Sequence, residues 1–361
     1  MSFLLSLITG FLSLYLAFAN LLADTLLAIL PTSEVGSTTV ATTGDQTSTL
    51  TQIDSEYETD GPIPQILIDN AAYQGAAVSS AVYPEATATP AEALVNIFCT
   101  YRTAQYERTT TGTGFFIHPD GIILTNAHVA QLMLLANVVG DSECVIRTGA
   151  PATPTYTAEL LYISPAWVRQ HASIVNEDTP RGTGERDYAL LYVNSGLNNR
   201  PMPRIFPALS FDTELLRVSA AGADVIAAGY PAGALRERGS DLALVPQVAE
   251  TRITELMTFN RDHADLMTIA GSPVGQSGAS GGPVVDEEGN AIGVIVTRGD
   301  DEQFGVGSLR ALTISYIDRT MQEETGVSLL QNITGDLPFR AQLYRETMVP
   351  FLEQVIRWEL E

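Results

Sequence analysis

The sequence predicts an all-β core of the sandwich or barrel type, with a disordered N-terminal linker before it and helices after it. Residues 91–325 contain many short apolar runs of strand length. Turn sequences such as Pro119-Asp120-Gly121 and Glu287-Glu288-Gly289-Asn290 separate these runs. All 19 basic residues are arginines and the first is Arg102, so the acidic N-terminal quarter differs in composition from the rest.

Twelve runs of the core are candidate strands, and all of them are short and rich in β-branched or aromatic residues. They fall at 93–103, 110–118, 121–126, 143–148, 155–163, 187–193, 224–230, 242–258, 266–270, 283–286, 290–297 and 306–313. The run at 242–258 is long enough for two strands or one bent strand.

The chain ends in helical patterns at 314–323 and 338–360, and the apolar residues of the second pattern include Phe351 and Ile356. We therefore expect a core at 91–325 and a C-terminal helical extension at 326–361.

The N-terminal region predicts export. Residues 1–30 are mostly apolar, and Phe3 to Leu16 form an uninterrupted run that resembles the apolar region of a signal peptide. Ala17-Phe18-Ala19 then fits the small-x-small pattern of a signal-peptidase site, although a basic region is missing before the run. A cleaved signal peptide, a retained membrane anchor through residues 3–30 and an amphipathic segment stay open as interpretations. The first two predict a protein outside the cytoplasm: secreted, periplasmic or membrane-anchored.

Residues 31–90 predict a Thr/Ser/Ala-rich linker, because such a segment buries too little apolar surface to offset its ordering entropy. A weak apolar pattern at 63–78 predicts a short docking helix within it. We expect that deleting residues 1–90 leaves a soluble, active unit.

Charge and composition exclude some functions. The net charge is −23, and an acidic chain is a poor partner for nucleic acid, because phosphate binding needs a basic face. The absence of lysine excludes Schiff-base, P-loop and Ser–Lys chemistry.

Three segments carry candidate chemistry in the order His, Asp, Ser. His128 follows an apolar strand, Asp187 begins another, and Ser280 lies in the rare motif Gly278-Ala279-Ser280-Gly281-Gly282-Pro283. A hydroxyl, an imidazole base and a carboxylate that orients the base form the set needed for nucleophilic acyl transfer.

The glycine-rich loop predicts an oxyanion hole from the backbone N–H groups of Gly278 and Ser280. Gly281 and Gly282 would leave room for a substrate backbone. Ser277 is a rival nucleophile, but it lacks the following Gly-Gly-Pro, which favours Ser280.

With these motifs, the sequence resembles the trypsin-like (chymotrypsin-fold) serine peptidases, and more closely their bacterial branch related to the HtrA/Deg proteases. The resemblance covers about residues 92–325 and rests on GTGFFIHPDGIILTNAHV, RDYALLYV, DVIAAGYPAG and GQSGASGGPVVDEEGNAIGVIV. It implies two six-stranded antiparallel β-barrels, at about 91–205 and 206–325. The active site would lie between them, with His128 and Asp187 on the first barrel and Ser280 on the second.

The resemblance also implies details of the site. Val274 would lie at the base of the substrate pocket and Thr297, Arg298 and Gly299 along its wall, which predicts cleavage after small or medium apolar residues. A disulfide between Cys99 and Cys144 would join the first and fourth strands of barrel one, with two buried free thiols as the alternative.

The chain departs from the family at two points that bear on regulation. Ala279 replaces the Asp that pairs with a newly freed N-terminus in related peptidases, so we expect no activation by cleavage. The 36 residues after 325 are too few for the PDZ domain of HtrA proteins, which puts a PDZ-regulated machine in doubt.

Other candidate sites are weaker. His118, His171 and His263 lack ligand spacing, so we expect neither a metal nor a cofactor. The run Asp300-Asp301-Glu302 predicts a solvated loop, with a calcium site as the alternative. Asn332-Ile333-Thr334 is an N-glycosylation sequon.

The sequence therefore predicts a serine endopeptidase that acts on protein or peptide substrates through an acyl-enzyme. A catalytically silent binding protein on the same fold and an esterase using the same triad are the alternatives. The physiological substrate, the host and the oligomeric state are not predicted.

Overall fold

The computed structural model describes residues 37–39, 49–53, 55, 65–77, 82–102, 107–135, 141–172, 182–233, 243–259 and 262–360. The chain divides into units at 1–36 and 37–361, and the description concerns the second. The expected signal peptide or anchor at 1–30 lies outside the described residues. In the described ranges, no helix is both long enough and apolar enough to cross a membrane.

The first barrel is a closed antiparallel sheet of six strands in the order β3-β4-β5-β8-β7-β6. Its strands are β3 (Leu94–Arg102), β4 (Glu107–His118), β5 (Ile122–Thr125), β6 (Asp141–Thr148), β7 (Thr153–Ile163) and β8 (Ala189–Gly196). Cys99 pairs in register with Cys144 across β3 and β6, and the two form a disulfide with a Cα–Cα distance of 4.1 Å. The predicted disulfide is therefore confirmed.

The second barrel closes through the pairing of β9 with β10. Its strands are β9 (Asp224–Gly229), β10 (Gln247–Thr258), β11 (Leu266–Ile269), β12 (Pro283–Val285), β13 (Ala291–Arg298) and β14 (Leu309–Thr313). β10 is one strand with a bulge between Ile253 and Glu255, which gives it the bend expected for that run. The prediction of two six-stranded antiparallel barrels is confirmed.

Part of the expected linker at 31–90 is built into the fold. β1 (Ser37–Thr39) pairs with β2 (Thr49–Gln52), and β2 adds to β10 as a parallel neighbour. The segment 65–77 includes the helix α1 (Ala71–Gly75) and buries Leu67 and Tyr73 in the core. The short docking helix expected at 63–78 thus corresponds to α1. The segment around α1 differs from a plain linker because it buries Leu67 and Tyr73, and β1 and β2 differ from one because they pair in the sheet.

The remaining helices are short within the barrels and longer at the C-terminus. They are α2 (Pro90–Ala93), α3 (Ala127–Ala130), α4 (Pro165–His171), α5 (Asp301–Phe304), α6 (Ile314–Thr325), α7 (Leu329–Asn332), α8 (Leu337–Thr347) and α9 (Val349–Leu360). The prediction of C-terminal helices is confirmed, and the helical pattern at 338–360 corresponds to two helices that meet at Met348. Pro350 has no N–H to donate and its ring crowds the carbonyl one turn earlier, so α8 cannot continue through it.

Two buried clusters support the architecture. One fills barrel one, includes barrel-two residues such as Leu266 and Val294, and continues under the C-terminal helices as far as Leu352 and Ile356. The other fills barrel two and includes Val274, Val284 and Ile295. The C-terminal helices therefore share a core with barrel one, which carries two of the three candidate catalytic residues.

Candidate active site

His128 lies in the one-turn helix α3, directly after β5. Asn126 caps this helix in an extended conformation, which turns the chain sharply from strand to helix. The Asn126 side-chain amide donates to the carbonyl of Asp187 at 2.9 Å. The start of the helix is thereby fixed to the loop that carries the acid.

The Asp187 carboxylate holds His128 at two points. Oδ1 accepts a hydrogen bond from the His128 backbone N–H at 2.9 Å, and Oδ2 lies 2.6 Å from His128 Nδ1. An ionised carboxylate only accepts hydrogen bonds, so in the neutral imidazole Nδ1 carries the proton and Nε2 has the free lone pair. The Asp187 side chain is 6% exposed, which shields this hydrogen bond from water.

The loop around Asp187 is tied to the C-terminal helix α6. Arg186 is buried and forms ion pairs of 2.7 Å with Glu323 and Glu324. The Tyr188 hydroxyl lies 2.9 Å from Thr320 Oγ1. Burial, followed by the negative charge of Glu324, raises the pKa of Tyr188, so its hydroxyl stays neutral.

Ser280 is half-buried in the loop between β11 and β12. Its carbonyl accepts a hydrogen bond from Thr113 N of β4 at 2.8 Å. The Thr113 hydroxyl donates to the Gly278 carbonyl at 2.6 Å and accepts from Tyr230 N at 2.9 Å. One threonine of barrel one thus holds the Ser280 loop of barrel two.

Two glycines of this loop have no substitute. Gly278 and Gly281 have φ values of 93° and 88°, a region that L side chains rarely adopt. A Cβ on Gly281 would lie 1.9 Å from the Thr113 carbonyl oxygen. Within the described chain, the N–H groups of Gly278 and Ser280 donate to no protein acceptor, which leaves both open to an incoming oxygen.

The structure brings the three predicted catalytic residues together to different degrees. His128 and Asp187 are directly hydrogen-bonded, whereas Ser280 reaches barrel one through Thr113 and makes no hydrogen bond to His128. Nucleophile–base hydrogen bonds are often long in ligand-free enzymes and shorten in the substrate complex. The rival Ser277 is exposed, and its carbonyl accepts a hydrogen bond from Ala232 N at 2.6 Å.

The predicted pocket residues lie in two segments of the chain, and both segments are hydrogen-bonded to the loop that contains Gly307 and Ser308. Ser272 N, two residues before the buried Val274, donates to Gly307 O at 3.2 Å, and Gly299 N donates to Ser308 O at 2.9 Å. Thr297 is half-buried and Arg298 is exposed. A separate surface cleft of about 380 Å³, lined in part by Pro119, Tyr192, Met202, Phe206 and Leu337, contains none of the predicted site residues.

The weaker candidates have structural roles. His118 Nδ1 accepts from the Asp120 N–H at 3.2 Å, and burial lowers the pKa of His118. Asp301 accepts hydrogen bonds from Gly307 N and from the backbone and hydroxyl of Ser308. Over the described ranges, no group of three or more His, Cys, Asp or Glu is placed to hold a metal ion.

The sequon asparagine is part of the core. Asn332 is 1% exposed, and its amide nitrogen donates to Thr325 Oγ1, Val327 O and Ser328 O. In the folded protein this side chain is inaccessible to a glycosyltransferase.

Sequence reasoning assigned no role to Thr113, Arg186, Tyr188 or Glu324. The first three lie within or beside the motif segments, so their proximity to these motifs in the sequence is a signal that could have identified them. Glu324 lies in a helix without any motif, and only the fold shows that it contacts the loop that carries Asp187.

Comparison with known proteins agrees with this geometry. The family model described as "Trypsin-like peptidase domain" matches residues 112–294, which is half of the chain and includes His128, Asp187 and Ser280. Uncharacterized protein y4bJ of Sinorhizobium fredii (strain NBRC 101917 / NGR234) is 28% identical over 240 residues, covering 66% of this chain and 30% of the relative. This chain therefore spans less than a third of that relative's length.

The solved structures that this chain matches include two forms of the Rv3671c protease from M. tuberculosis. The active form is 20% identical, with a TM-score of 0.40, and the match covers 80% of this chain and 95% of that one. An inactive form is 22% identical, with a TM-score of 0.37, and the match covers 65% of this chain and 89% of that one. On the family match and the two-barrel fold, this chain belongs to the trypsin-like peptidase domain family.

Proposed function

We propose that the protein is an extracytoplasmic serine endopeptidase whose catalytic residues are His128, Asp187 and Ser280. The observation that carries this proposal is the double contact of the Asp187 carboxylate with His128 N and Nδ1. In the neutral imidazole, that contact places the proton on Nδ1, so that Nε2 is the nitrogen that can accept a proton, as a general base must.

The reaction follows from these positions. Ser280 Oγ attacks the substrate carbonyl carbon while its proton passes to His128 Nε2. The carbonyl oxygen becomes an oxyanion that accepts hydrogen bonds from the N–H groups of Gly278 and Ser280. His128 returns the proton to the leaving amine, which departs and leaves an acyl-enzyme on Ser280. Water, deprotonated by His128, then hydrolyses the ester and regenerates the free serine.

The disulfide supports a location outside the cytoplasm. Cys99 and Cys144 are bonded across neighbouring strands of barrel one, and disulfides persist mainly in oxidising compartments. This agrees with the export signal or anchor expected in residues 1–30, through which the protein would attach to a membrane if the segment is retained.

Substrate choice is inferred from the pocket segments. Val274 supplies no charge to hold a basic side chain, and an unpaired buried cation is costly. The exposed Arg298 adds a positive charge near the same segments. We therefore propose cleavage after small or medium apolar residues such as Val, Ala, Ile or Leu. Profiling a peptide library with the full chain tests this, and a dominant preference for Arg or Lys would refute it.

The activity itself is tested with an unfolded protein substrate and a matched pair of serine variants. Ser280→Ala should abolish cleavage, whereas Ser277→Ala, an exposed serine of the same loop, should retain it. Equal activity in the wild type and Ser280→Ala would overturn the proposed function. Turnover of small esters without cleavage of any protein substrate would favour an esterase instead.

A further inference from the structure

The residue before the catalytic acid has an unusual backbone conformation. Arg186 has a φ of 56°, in the left-handed region that favours glycine. Strained backbone of this kind persists only where the surrounding structure enforces it, and it is frequent at active sites. The Arg186 side chain connects this turn to helix α6.

Helix α6 anchors the loop on both sides of Asp187. On one side, Arg186 Nη1 lies 2.7 Å from Glu324 Oε1, and Nη2 lies 2.7 Å from Glu323 Oε2. On the other side, the Tyr188 hydroxyl contacts Thr320 Oγ1 at 2.9 Å. Thr320 and Glu324 are four residues apart, so they lie on one face of the helix.

Glu324 is the centre of a buried hydrogen-bond network. It is fully buried, and it accepts hydrogen bonds from Arg186, from Ser164 Oγ at 2.9 Å and from the Tyr162 hydroxyl. Burial raises the pKa of the Glu324 carboxyl, and Arg186 and the hydrogen bonds partly offset this. Burial lowers the pKa of Arg186 and is the largest single influence, but Glu324, the neighbouring tyrosines and the hydrogen bond to Glu323 together outweigh it, so the net shift is upward.

We propose that Glu324, acting through Arg186, is a positioning residue for the catalytic Asp187. Glu324 touches neither substrate nor the reacting atoms. It fixes the guanidinium of Arg186, the guanidinium fixes the left-handed turn, and the turn aims the Asp187 carboxylate at His128. The C-terminal helix α6 is thereby part of the catalytic arrangement, although it lies outside both barrels. This inference rests on the proposed function of Asp187.

A role in stability alone would not require an ion pair between Arg186 and Glu324. Buried ion pairs often contribute no more stability than well-packed apolar residues of similar volume. A planar guanidinium with two carboxylate partners does fix an orientation, which an apolar contact does not. The proposal therefore predicts that activity and stability respond differently when the pair is changed.

The test compares Glu324→Gln with Arg319→Gln in the full chain. Arg319 also lies on α6 and pairs with the buried Asp265 at 2.5 Å, but its partner belongs to barrel two. Glu324→Gln should lower kcat by about 10²-fold with little change in KM, because a displaced Asp187 carboxylate no longer holds the His128 ring in its reactive orientation. Arg319→Gln should keep the wild-type kcat when both are assayed well below their melting temperatures.

Two variants of Arg186 provide a second test, which applies even if Glu324→Gln does not fold. Arg186→Lys keeps the charge and should retain more kcat than Arg186→Met, at comparable melting temperatures. A folded Glu324→Gln with wild-type kcat, or equal kcat in Arg186→Lys and Arg186→Met, would overturn the proposal.

A readout without turnover separates this inference from the proposed function. The proton on His128 Nδ1 gives an NMR signal that reports its hydrogen bond to Asp187. Glu324→Gln should shift or broaden this signal, and Arg319→Gln should not. An unchanged signal in Glu324→Gln would overturn the positioning role, whereas a wild-type chain without any peptidase activity would overturn the proposed function.

Discussion

The ring of Tyr73 lies against the guanidinium of Arg340, with the Arg340 Cζ 4.4 Å from the ring centroid. Both side chains are buried, and both donate to Asn332 Oδ1, Tyr73 at 2.5 Å and Arg340 at 2.8 Å. This cluster joins the N-terminal segment 65–77 to helix α8. Gln74 adds a hydrogen bond to the Thr325 carbonyl at the end of α6. The N-terminal segment is therefore part of the core that supports the C-terminal helices.

Tyr73→Ala should destabilise the protein by about 3–5 kcal/mol, as expected when a large buried aromatic side chain is removed. Urea unfolding of the full chain measures this, with Val82→Ala as the control, because Val82 is 80% exposed. Because Leu67 and Tyr73 are buried in the core, we predict that a chain starting at residue 91 is markedly less stable than one starting at residue 65. Equal stability of those two chains would contradict the docked role of the segment.

The disulfide should contribute about 4 kcal/mol to the free energy of unfolding, because it closes a loop between residues 45 positions apart. Urea unfolding of the oxidised protein and of a Cys99→Ala/Cys144→Ala variant measures the difference. If the two urea unfolding curves had the same midpoint concentration and the same slope, the disulfide would add no stability.

Asp187→Asn should lower kcat by about 10⁴-fold without unfolding the protein. An amide that keeps the bond from His128 N through its oxygen presents its NH₂ group to Nδ1, which favours the imidazole tautomer with the proton on Nε2. That tautomer cannot accept the serine proton. Steady-state kinetics combined with a melting curve checks this, and an Asn variant with near-wild-type kcat would remove Asp187 from the triad.

The free energy of unfolding should depend on pH in a way that reflects the protonation of Glu324. Burial raises the pKa of this carboxyl above its usual 4.5 in the folded state, so the folded state binds the proton more tightly than the unfolded chain. The stability linked to this group is fully present below pH 4.5 and is lost as the pH rises through the raised pKa.

Gln cannot titrate, so the unfolding free energy of the wild type minus that of Glu324→Gln should fall as the pH rises above 4.5. Urea unfolding of both proteins over a pH series gives this difference. A difference that is constant or rises with pH would contradict the assigned direction of the shift.

Most of the barrel architecture was predictable because its signals are local. Strand-length apolar runs and turn residues such as Gly121 and Gly289 mark each strand without reference to the others. The His128, Asp187 and Ser280 segments were found for the same reason, since each motif is contiguous in sequence. Cys99 and Cys144 needed the family topology, because spacing alone does not pair two strands.

Long-range contacts were not predictable from the sequence. The Arg186–Glu324 pair spans 138 positions, and the Tyr73 hydroxyl meets Asn332 across 259. No local pattern distinguishes a glutamate that pairs with a buried arginine from one on a solvated helix face. Thr113 lies in a recognised segment, but its link to Gly278 and Ser280 depends on how two barrels meet. These contacts form only after the chain has brought distant strands and helices together.

The central claim is that Ser280 is a nucleophile activated by His128, and labelling by a fluorophosphonate probe tests it most directly. The probe forms a covalent bond with an activated serine and is insensitive to the choice of peptide substrate. We predict stoichiometric labelling of the wild type and of Ser277→Ala, and no labelling of Ser280→Ala or His128→Ala in their folded states. Labelling of folded Ser280→Ala at the wild-type rate would contradict the account.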